Sequence, residues 1–351
     1  MPSAPTIELR PGYRISRIIR GGWQLAGGHG PVDKEAAVAD LVACCEAGIF
    51  TFDCADIYTG VEELIGAFRT RYAELHGRDA VAAVRVHTKL VPDLAALPTL
   101  KRGYVRGIID QSLRRLHTEV LDLVQFHWWD YDIPGWLDAF GWLDELRQDG
   151  KVRHLGGTNF DTAHMLEAVA AGIPLVSLQV QYSLIDARPS ARMAPAAQRH
   201  DVHLLAYGSV AGGFLSDRWL GRPEPSGALE NRGLTKYKLI IDDFGGWDLF
   251  QRLLRVLRGI ADTHGADIAT VASRAVLDLP AVAAVIVGAR NRAHLAANLR
   301  IGALALTDAD RAAIAGVLAR ATGPADDVYA LERDRTGRYG SIIKYNLNAE
   351  A

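Results

Sequence analysis

Three ionisable side chains close three separate apolar runs of this 351-residue chain: Asp53 ends IFTFD, Lys89 ends VRVHTK and His127 ends LVQFH. A fourth, Tyr58, follows Asp53 by five positions in DCADIY. A phenol beside an ammonium has its pKa lowered, and a carboxylate keeps that ammonium charged and oriented. Such a set can hand a proton to a carbonyl oxygen, with the tyrosine as general acid. Each residue also has a plain structural reading. Asp53 suits a helix cap or turn, Tyr58 a half-buried aromatic position, and His127, followed by Trp128 and Trp129, a satisfied core histidine. Lys89 is one of only seven lysines, and its place at the end of an apolar run is the least ordinary of the four. Pattern alone leaves both readings open.

The elements that would carry these residues alternate regularly. Short β-branched runs at 17–21, 51–53, 84–89, 121–127, 154–158, 175–179, 203–206 and 282–287 make eight candidate strands. Helical periodicity falls between them at 34–47, 101–116, 136–148, 162–171, 190–200, 247–263 and 268–277. In 101–116, Val105, Ile108, Ile109, Leu113 and Leu116 lie on one face at three- and four-residue spacing. Repeated return to a new strand through a helix predicts a mainly parallel, covered sheet. Eight such units fit a closed (β/α)8 TIM barrel, whose strands deliver their C-terminal ends to one mouth. The expectation is a single domain over 1–351, with a barrel core at about 13–322 and a C-terminal extension at 323–351. Segments 216–246 and 323 onward fit no barrel unit and are expected to be loops that touch substrate.

Composition narrows the class. With 49% apolar residues and 39 basic against 41 acidic side chains, the chain is neither disordered nor a disulfide scaffold. The near-neutral balance argues against charge-driven nucleic-acid binding, and the excess of arginine over lysine reads as a composition bias. No apolar run approaches the roughly 18 residues of a membrane span, so a cytoplasmic location is expected. Cys44, Cys45 and Cys54 offer no CxxC or His-x-x-x-His partner and read as small core residues, with no metal site.

Seven segments in order give the chain its likeness to a known family: FDCADIYTGVEELIGAF, HTKL, SLRRLHTEVLDLVQFHWW, DELRQDGKVRHLGGTNF, LVSLQVQYSLID, AYGSVAGGFL and VIVGARNRAHLAANL. Together they resemble the aldo-keto reductases. The resemblance implies a catalytic tetrad of Asp53, Tyr58, Lys89 and His127, with Tyr58 as general acid, Lys89 and Asp53 tuning it, and His127 orienting the carbonyl. It implies a nicotinamide cofactor whose carboxamide lies near Thr158, Asn159 and Gln179 and whose ring stacks on Tyr207. The diphosphate is then expected along Gly208, Ser209, Val210, Gly212 and Leu215, and the adenosine end at Gly288, Arg290, His294 and Asn298. Gly22, Trp23 and Asp53 would border the same mouth. No GxGxxG follows the first strand, so a Rossmann domain is not supported.

Arg290 and Arg292 suit a 2′-phosphate, which favours NADPH with NADH as the alternative. Ala297 and His294 depart from the commoner glutamate and arginine or glutamine of the family motif, which weakens the expected adenine contacts. Trp23, Tyr58, His127, Trp128 and Trp129 are the expected substrate wall, with Tyr131 beside them and Tyr329, Tyr339, Tyr345 and Asn346 in the tail. Aromatic walls with few charges suit an aldehyde or a fairly bulky, ring-bearing ketone. Two other functions stay open: a sugar or secondary-alcohol dehydrogenase working oxidatively, and a non-catalytic nicotinamide-binding subunit.

Overall fold

Eight short strands pair only in parallel, and the pairing closes on itself. In this computed structural model, which describes residues 4–26 and 30–348, the barrel strands are β3 (Ile18–Gly21), β4 (Thr51–Asp53), β5 (Arg85–Leu90), β6 (Leu121–Phe126), β7 (Val152–Thr158), β8 (Leu175–Gln181), β9 (His203–Tyr207) and β10 (Val282–Gly288), preceded by the hairpin β1 (Thr6–Arg10) and β2 (Tyr13–Ser16). The order β10-β3-β4-β5-β6-β7-β8-β9 forms a closed barrel. The helices are α1 (Lys34–Glu46), α2 (Val61–His76), α3 (Arg78–Ala82), α4 (Arg102–Arg115), α5 (Trp136–Gln148), α6 (Thr162–Ala170), α7 (Arg188–Ala191) and α8 (Met193–Arg199). They continue with α9 (Arg232–Phe244), α10 (Gly246–Thr263), α11 (Ile268–Leu277), α12 (Leu295–Ala303), α13 (Asp308–Leu318) and α14 (Ala330–Arg333).

Side chains alternate along a strand, so each strand feeds both the interior and the helix layer. Phe52, Val86, Val124, Phe126, Leu155, Leu178, Leu204 and Val285 pack with helix residues in the larger core. A second set, Ile19, Leu123, Leu205 and Ala284, packs with Tyr13 and Ile15 of the hairpin. The hairpin therefore closes the barrel end opposite the mouth, and Tyr13 Oη lies 3.1 Å from His87 Nε2 there. Fully burying one such aliphatic or aromatic side chain contributes about 1.5–3 kcal/mol.

The expected barrel is what folds, with strand limits shifted by one or two residues at several ends. His127 lies just beyond β6, yet its N–H still donates to Leu90 O at 3.0 Å, continuing the β5–β6 pairing. Helices α2, α3, α12, α13 and α14 lie where the sequence reading assigned none, and three further features differ from it. The β1–β2 hairpin was not foreseen because TIELR alternates polar and apolar residues over too short a run. The predicted helix at 190–200 is broken at Arg192 (φ −123°), giving α7 and α8. The expected loop 216–246 contains α9, whose start is capped by Asn231 accepting from Leu234 N. Leu234, Tyr237, Ile240, Ile241 and Phe244 repeat at helical spacing, and four of these five are buried.

Candidate active site

Asp53, Lys89, Gln125 and Gln179 stand at the C-terminal ends of β4, β5, β6 and β8 and share one face. Asp53 pairs in register with His87, and Lys89 with Gln125. Lys89 Nζ donates to Asp53 Oδ2 at 2.8 Å, to Oδ1 at 3.0 Å and to Cys54 O at 2.7 Å. Gln125 and Gln179 each donate through Nε2 to Asp53 Oδ1, at 3.1 and 2.5 Å. The ion pair is buried, with both side chains 5% exposed. Asp53 raises the Lys89 pKa against the opposing effect of burial, so the ammonium stays charged.

Tyr58 completes the group, its ring centre 5.0 Å from Lys89 Nζ and 5.0 Å from the Trp23 ring, which meets it edge-on. The 54–62 connection that carries it is tied down by two buried carboxyl groups. Asp56 Oδ2 accepts from Val91 N at 3.0 Å, and Glu62 Oε1 accepts from Thr88 Oγ1 at 2.6 Å. Gly60, at φ 76°, makes the turn into α2 in a conformation that suits glycine. Burial raises the Tyr58 pKa, and Lys89 opposes this without reversing it. The lowered phenol pKa expected from the sequence is thus overridden by desolvation, and the phenol is held protonated at neutral pH.

His127 is buried at the same mouth. A carbonyl oxygen only accepts, so its Nδ1–H donates to Thr158 O at 3.1 Å. Burial first, then the charge of Arg333, pushes its pKa down to about 3, which keeps the ring neutral. Nε2 is buried and has no hydrogen-bond partner among the described residues. Trp129 and Tyr329 meet the ring edge-on at 4.3 and 5.8 Å between ring centres.

The C-terminal tail supplies part of the mouth. Arg333 Nη2 donates to Asn159 O at 2.5 Å and Nη1 to Trp128 O at 3.3 Å. One residue earlier, Glu332 accepts two bonds from Arg188, at 2.8 and 2.9 Å, and Arg188 also donates to both oxygens of Asp186. Arg188, Asp186 and Glu332 have side chains 2%, 0% and 0% exposed. Further along, Leu94 N donates to Tyr345 O, and Asp93 Oδ1 accepts from Leu347 N and Asn348 N. The tail therefore runs past β7 and β6 to the loop after β5.

Several expected site residues carry different contacts. Trp128 is fully buried, its Nε1 donating to Asp130 O and Ile133 O, so it has no surface left for substrate. Trp129 is 8% exposed and donates to Pro92 O, while Trp23 is 42% exposed. The Gln179 amide nitrogen is spent on Asp53 and Gln125. Tyr207 donates to Asn159 Oδ1 at 2.9 Å, and Thr158 is buried beside them. Gly208 (φ 74°) and Gly212 (φ 65°) are bare because Tyr237 fills their space: added Cβ atoms would lie 2.2 and 2.7 Å from its side chain. Ser209 is bonded to Ser273, Leu215 is buried, and Leu215 N donates to Val210 O. Gly22 lies against Asp53 O, and the Gln24 side chain lies over Gly288. Arg290 and His294 are exposed and Asn298 is half-buried on α12, while Arg292 pairs with Asp40 at 3.6 Å.

Sequence reasoning did not single out Gln125, Asp56, Glu62, Arg188, Glu332, Arg333 or Tyr237. For Asp56, its place two residues before Tyr58 was a usable signal. The others depend on contacts between distant segments. Among the described residues, no group of three or more His, Cys, Asp or Glu side chains is placed to hold a metal, and no helix is long and apolar enough to cross a membrane. Cys44 and Cys54 are buried free thiols and Cys45 is half-buried.

A closed parallel barrel with an acid, a lysine, a tyrosine and a histidine gathered at its C-terminal mouth has the plan of a (β/α)8 enzyme. Residues 17–319 match the profile of the aldo/keto reductase family, and the chain belongs to that family of oxidoreductases, whose members use nicotinamide cofactors. It is 31% identical over 314 residues to an uncharacterized oxidoreductase of Mycobacterium bovis, covering 85% of this chain and 90% of that one. It is 29% identical over 213 residues to the aldo-keto reductase YhdN of Bacillus subtilis, covering 59% of this chain and 62% of YhdN. A flagellar radial spoke protein of Chlamydomonas reinhardtii is 27% identical over 260 residues, 64% of this chain and 49% of that protein. The chain thus spans about half to three fifths of these last two relatives. The glycerol dehydrogenase of Gluconobacter oxydans superposes with a TM-score of 0.73 at 26% identity, covering 89% of this chain and 94% of that one.

The residues present fit a nicotinamide cofactor at two of three places. At the reacting end, an unpartnered buried His127 Nε2 lies at the same mouth as Tyr58 and Lys89. At the far end, Arg290 and His294 stand exposed after β10. Between them, Gly213 faces open space while Tyr237 shares the loop at Gly208 and Gly212.

Proposed function

We propose that the chain reduces a carbonyl compound, an aldehyde or a fairly bulky, ring-bearing ketone, to its alcohol with NADPH. Tyr58 gives its phenolic proton to the carbonyl oxygen, Lys89 holds a positive charge beside the developing phenolate, and Asp53 fixes the lysine. The bound cofactor would supply the hydride. The single observation that carries this reading is the buried Asp53–Lys89 pair facing the ring of a protonated Tyr58. His127, Trp129, Tyr329 and Trp23 then form the wall against which the substrate is oriented.

Thr158, Asn159 and Tyr207 would hold the nicotinamide end, and Arg290 the 2′-phosphate, since a guanidinium pairs phosphate bidentately. Arg292 is less available because Asp40 already faces it. Steady-state assays of a carbonyl panel with NADPH and NADH test the reading. Turnover of ring-bearing ketones, with higher kcat/KM for NADPH, is expected, and Arg290→Ala should raise KM for NADPH at least about tenfold while leaving NADH within threefold. Activity confined to small sugars would contradict the substrate, and an NADH preference would remove the phosphate role. A second reading, oxidation of a polyol or secondary alcohol by the same residues in reverse, is favoured by the likeness to a glycerol dehydrogenase. Alcohol oxidation exceeding ketone reduction at equal saturation would select it.

A further inference from the structure

Asn159, the residue that follows β7, has φ 60°, in the left-handed region. Asparagine enters that region more readily than most residues, but it stays there only where its surroundings fix it. Three contacts do so here. Asn159 N donates to Gln179 O at 2.9 Å, Oδ1 accepts from Tyr207 Oη at 2.9 Å, and the carbonyl oxygen accepts from Arg333 Nη2 at 2.5 Å. Nδ2 has no partner among the described residues and is the group left to meet a ligand.

Two of these contacts come from neighbouring barrel strands, and the third reaches in from 174 positions away. The same guanidinium donates through Nη1 to Trp128 O at 3.3 Å, so its planar fork joins the loops after β6 and β7. It lies 4.3 Å from the Tyr131 ring centre and 5.4 Å from that of Tyr329, with the side chain 15% exposed. The tail that carries it is fixed in turn: Glu332 pairs with buried Arg188, and Asp327 accepts from Thr162 N and Oγ1. Arg333 is therefore a prop already set in place, with its donors turned to protein carbonyls.

We propose that Arg333 is a positioning residue for the nicotinamide end of the cofactor: it holds the Asn159 peptide so that the side-chain amide is aimed before the cofactor arrives. This rests on the placement of the nicotinamide at Thr158, Asn159 and Tyr207, and adds to it a residue of the tail that acts through Asn159. Without the guanidinium the carbonyl loses a charged donor and the peptide is freed to leave the left-handed region, so binding must order it again. The loss falls on the nicotinamide, because the adenosine end is placed after β10 and shares none of these contacts.

Calorimetric titration of the full chain with NADPH and with 2′-phospho-ADP-ribose, which lacks only the nicotinamide, tests the proposal. Arg333→Gln should weaken NADPH at least about tenfold and leave 2′-phospho-ADP-ribose within about threefold. An equal loss for both ligands in a folded variant marks a merely structural role and overturns the inference, as does no loss for either. Asn159→Asp, which keeps the shape and removes the Nδ2 donor, should show the same selective loss, and in that background Arg333→Gln should add less than about threefold. Full additivity overturns the inference. A selective loss in Asn159→Asp with none in Arg333→Gln leaves the nicotinamide placement standing and removes the role of Arg333. No loss in Asn159→Asp removes the placement, and the inference with it. If Arg333→Gln binds neither ligand, Arg333→Lys takes its place, since it keeps the charge beside Tyr131 without a fork that spans two carbonyls. A loss confined to NADPH is again the expected result, and an equal loss or none is the contrary one.

Discussion

Lys89 is held by three acceptor contacts and in turn faces the phenol ring of Tyr58, so the proton chemistry hangs on one buried ion pair. Removing one partner of such a pair leaves an uncompensated charge and costs about 3–5 kcal/mol. Asp53→Asn is therefore expected to lower unfolding stability by about that amount in denaturant titrations, and a loss below about 1 kcal/mol would show that Gln125 and Gln179 hold Lys89 indirectly. The direction of the Tyr58 shift bears on pH. Because burial raises the phenol pKa, the acid form persists through neutral pH, and the reductive rate should fall only above the ordinary tyrosine value of about 10. An alkaline limb centred near 8 that vanishes in Tyr58→Phe would contradict this. Asp53, Lys89 and His127 were visible in the sequence because each ends an apolar run, and Tyr58 because it follows Asp53 by five positions. Their electrostatic balance was not, since a lysine's neighbourhood was legible but the depth of burial was not.

The elements that hold the mouth differ in how plainly the sequence announces them. Strands alternate with helices, so barrel closure followed from periodicity. Segment α9 carries Leu234, Tyr237, Ile240, Ile241 and Phe244 behind an Asn231 cap, a readable helix that Gly233 and the flanking turn residues disguised. The tail was expected to be an extension that touches substrate, but its anchoring was not legible, because Arg188–Glu332 joins residues 144 positions apart. Glu332→Gln should loosen it: hydrogen exchange of amides in 327–333 is expected to quicken at least about tenfold while β5 and β6 amides stay protected. Unchanged exchange would show that the Asp327 contacts with Thr162 and Arg192 suffice. Gly208→Ala combines a left-handed φ of 74° with a clash on Tyr237, and should cost at least about 1–2 kcal/mol of stability. A neutral effect there would mean that Tyr237 moves freely from the loop.

At the scale of the whole molecule, burial holds several of the described histidines neutral: it pushes His87 and His127 down to about 3 and His154 to about 4, and it lowers His203. Their folded pKa values lie below the unfolded value of about 6.5, so this contribution is fully present above that pH and is lost as pH falls towards 3. The melting temperature should decline over that window with net proton uptake on unfolding. A melting temperature constant from pH 7 to 4 would contradict it. At this scale the barrel was the most legible feature and the closure of its two ends the least, since both the β1–β2 hairpin and the tail act through distant contacts. Delivery of the proton by a protonated Tyr58 beside Lys89 is tested most directly by single-turnover reduction with Tyr58→Phe. Turnover is expected to fall by about 10²–10⁴-fold, with cofactor affinity within about threefold of the parent. Retained turnover in the variant would contradict it.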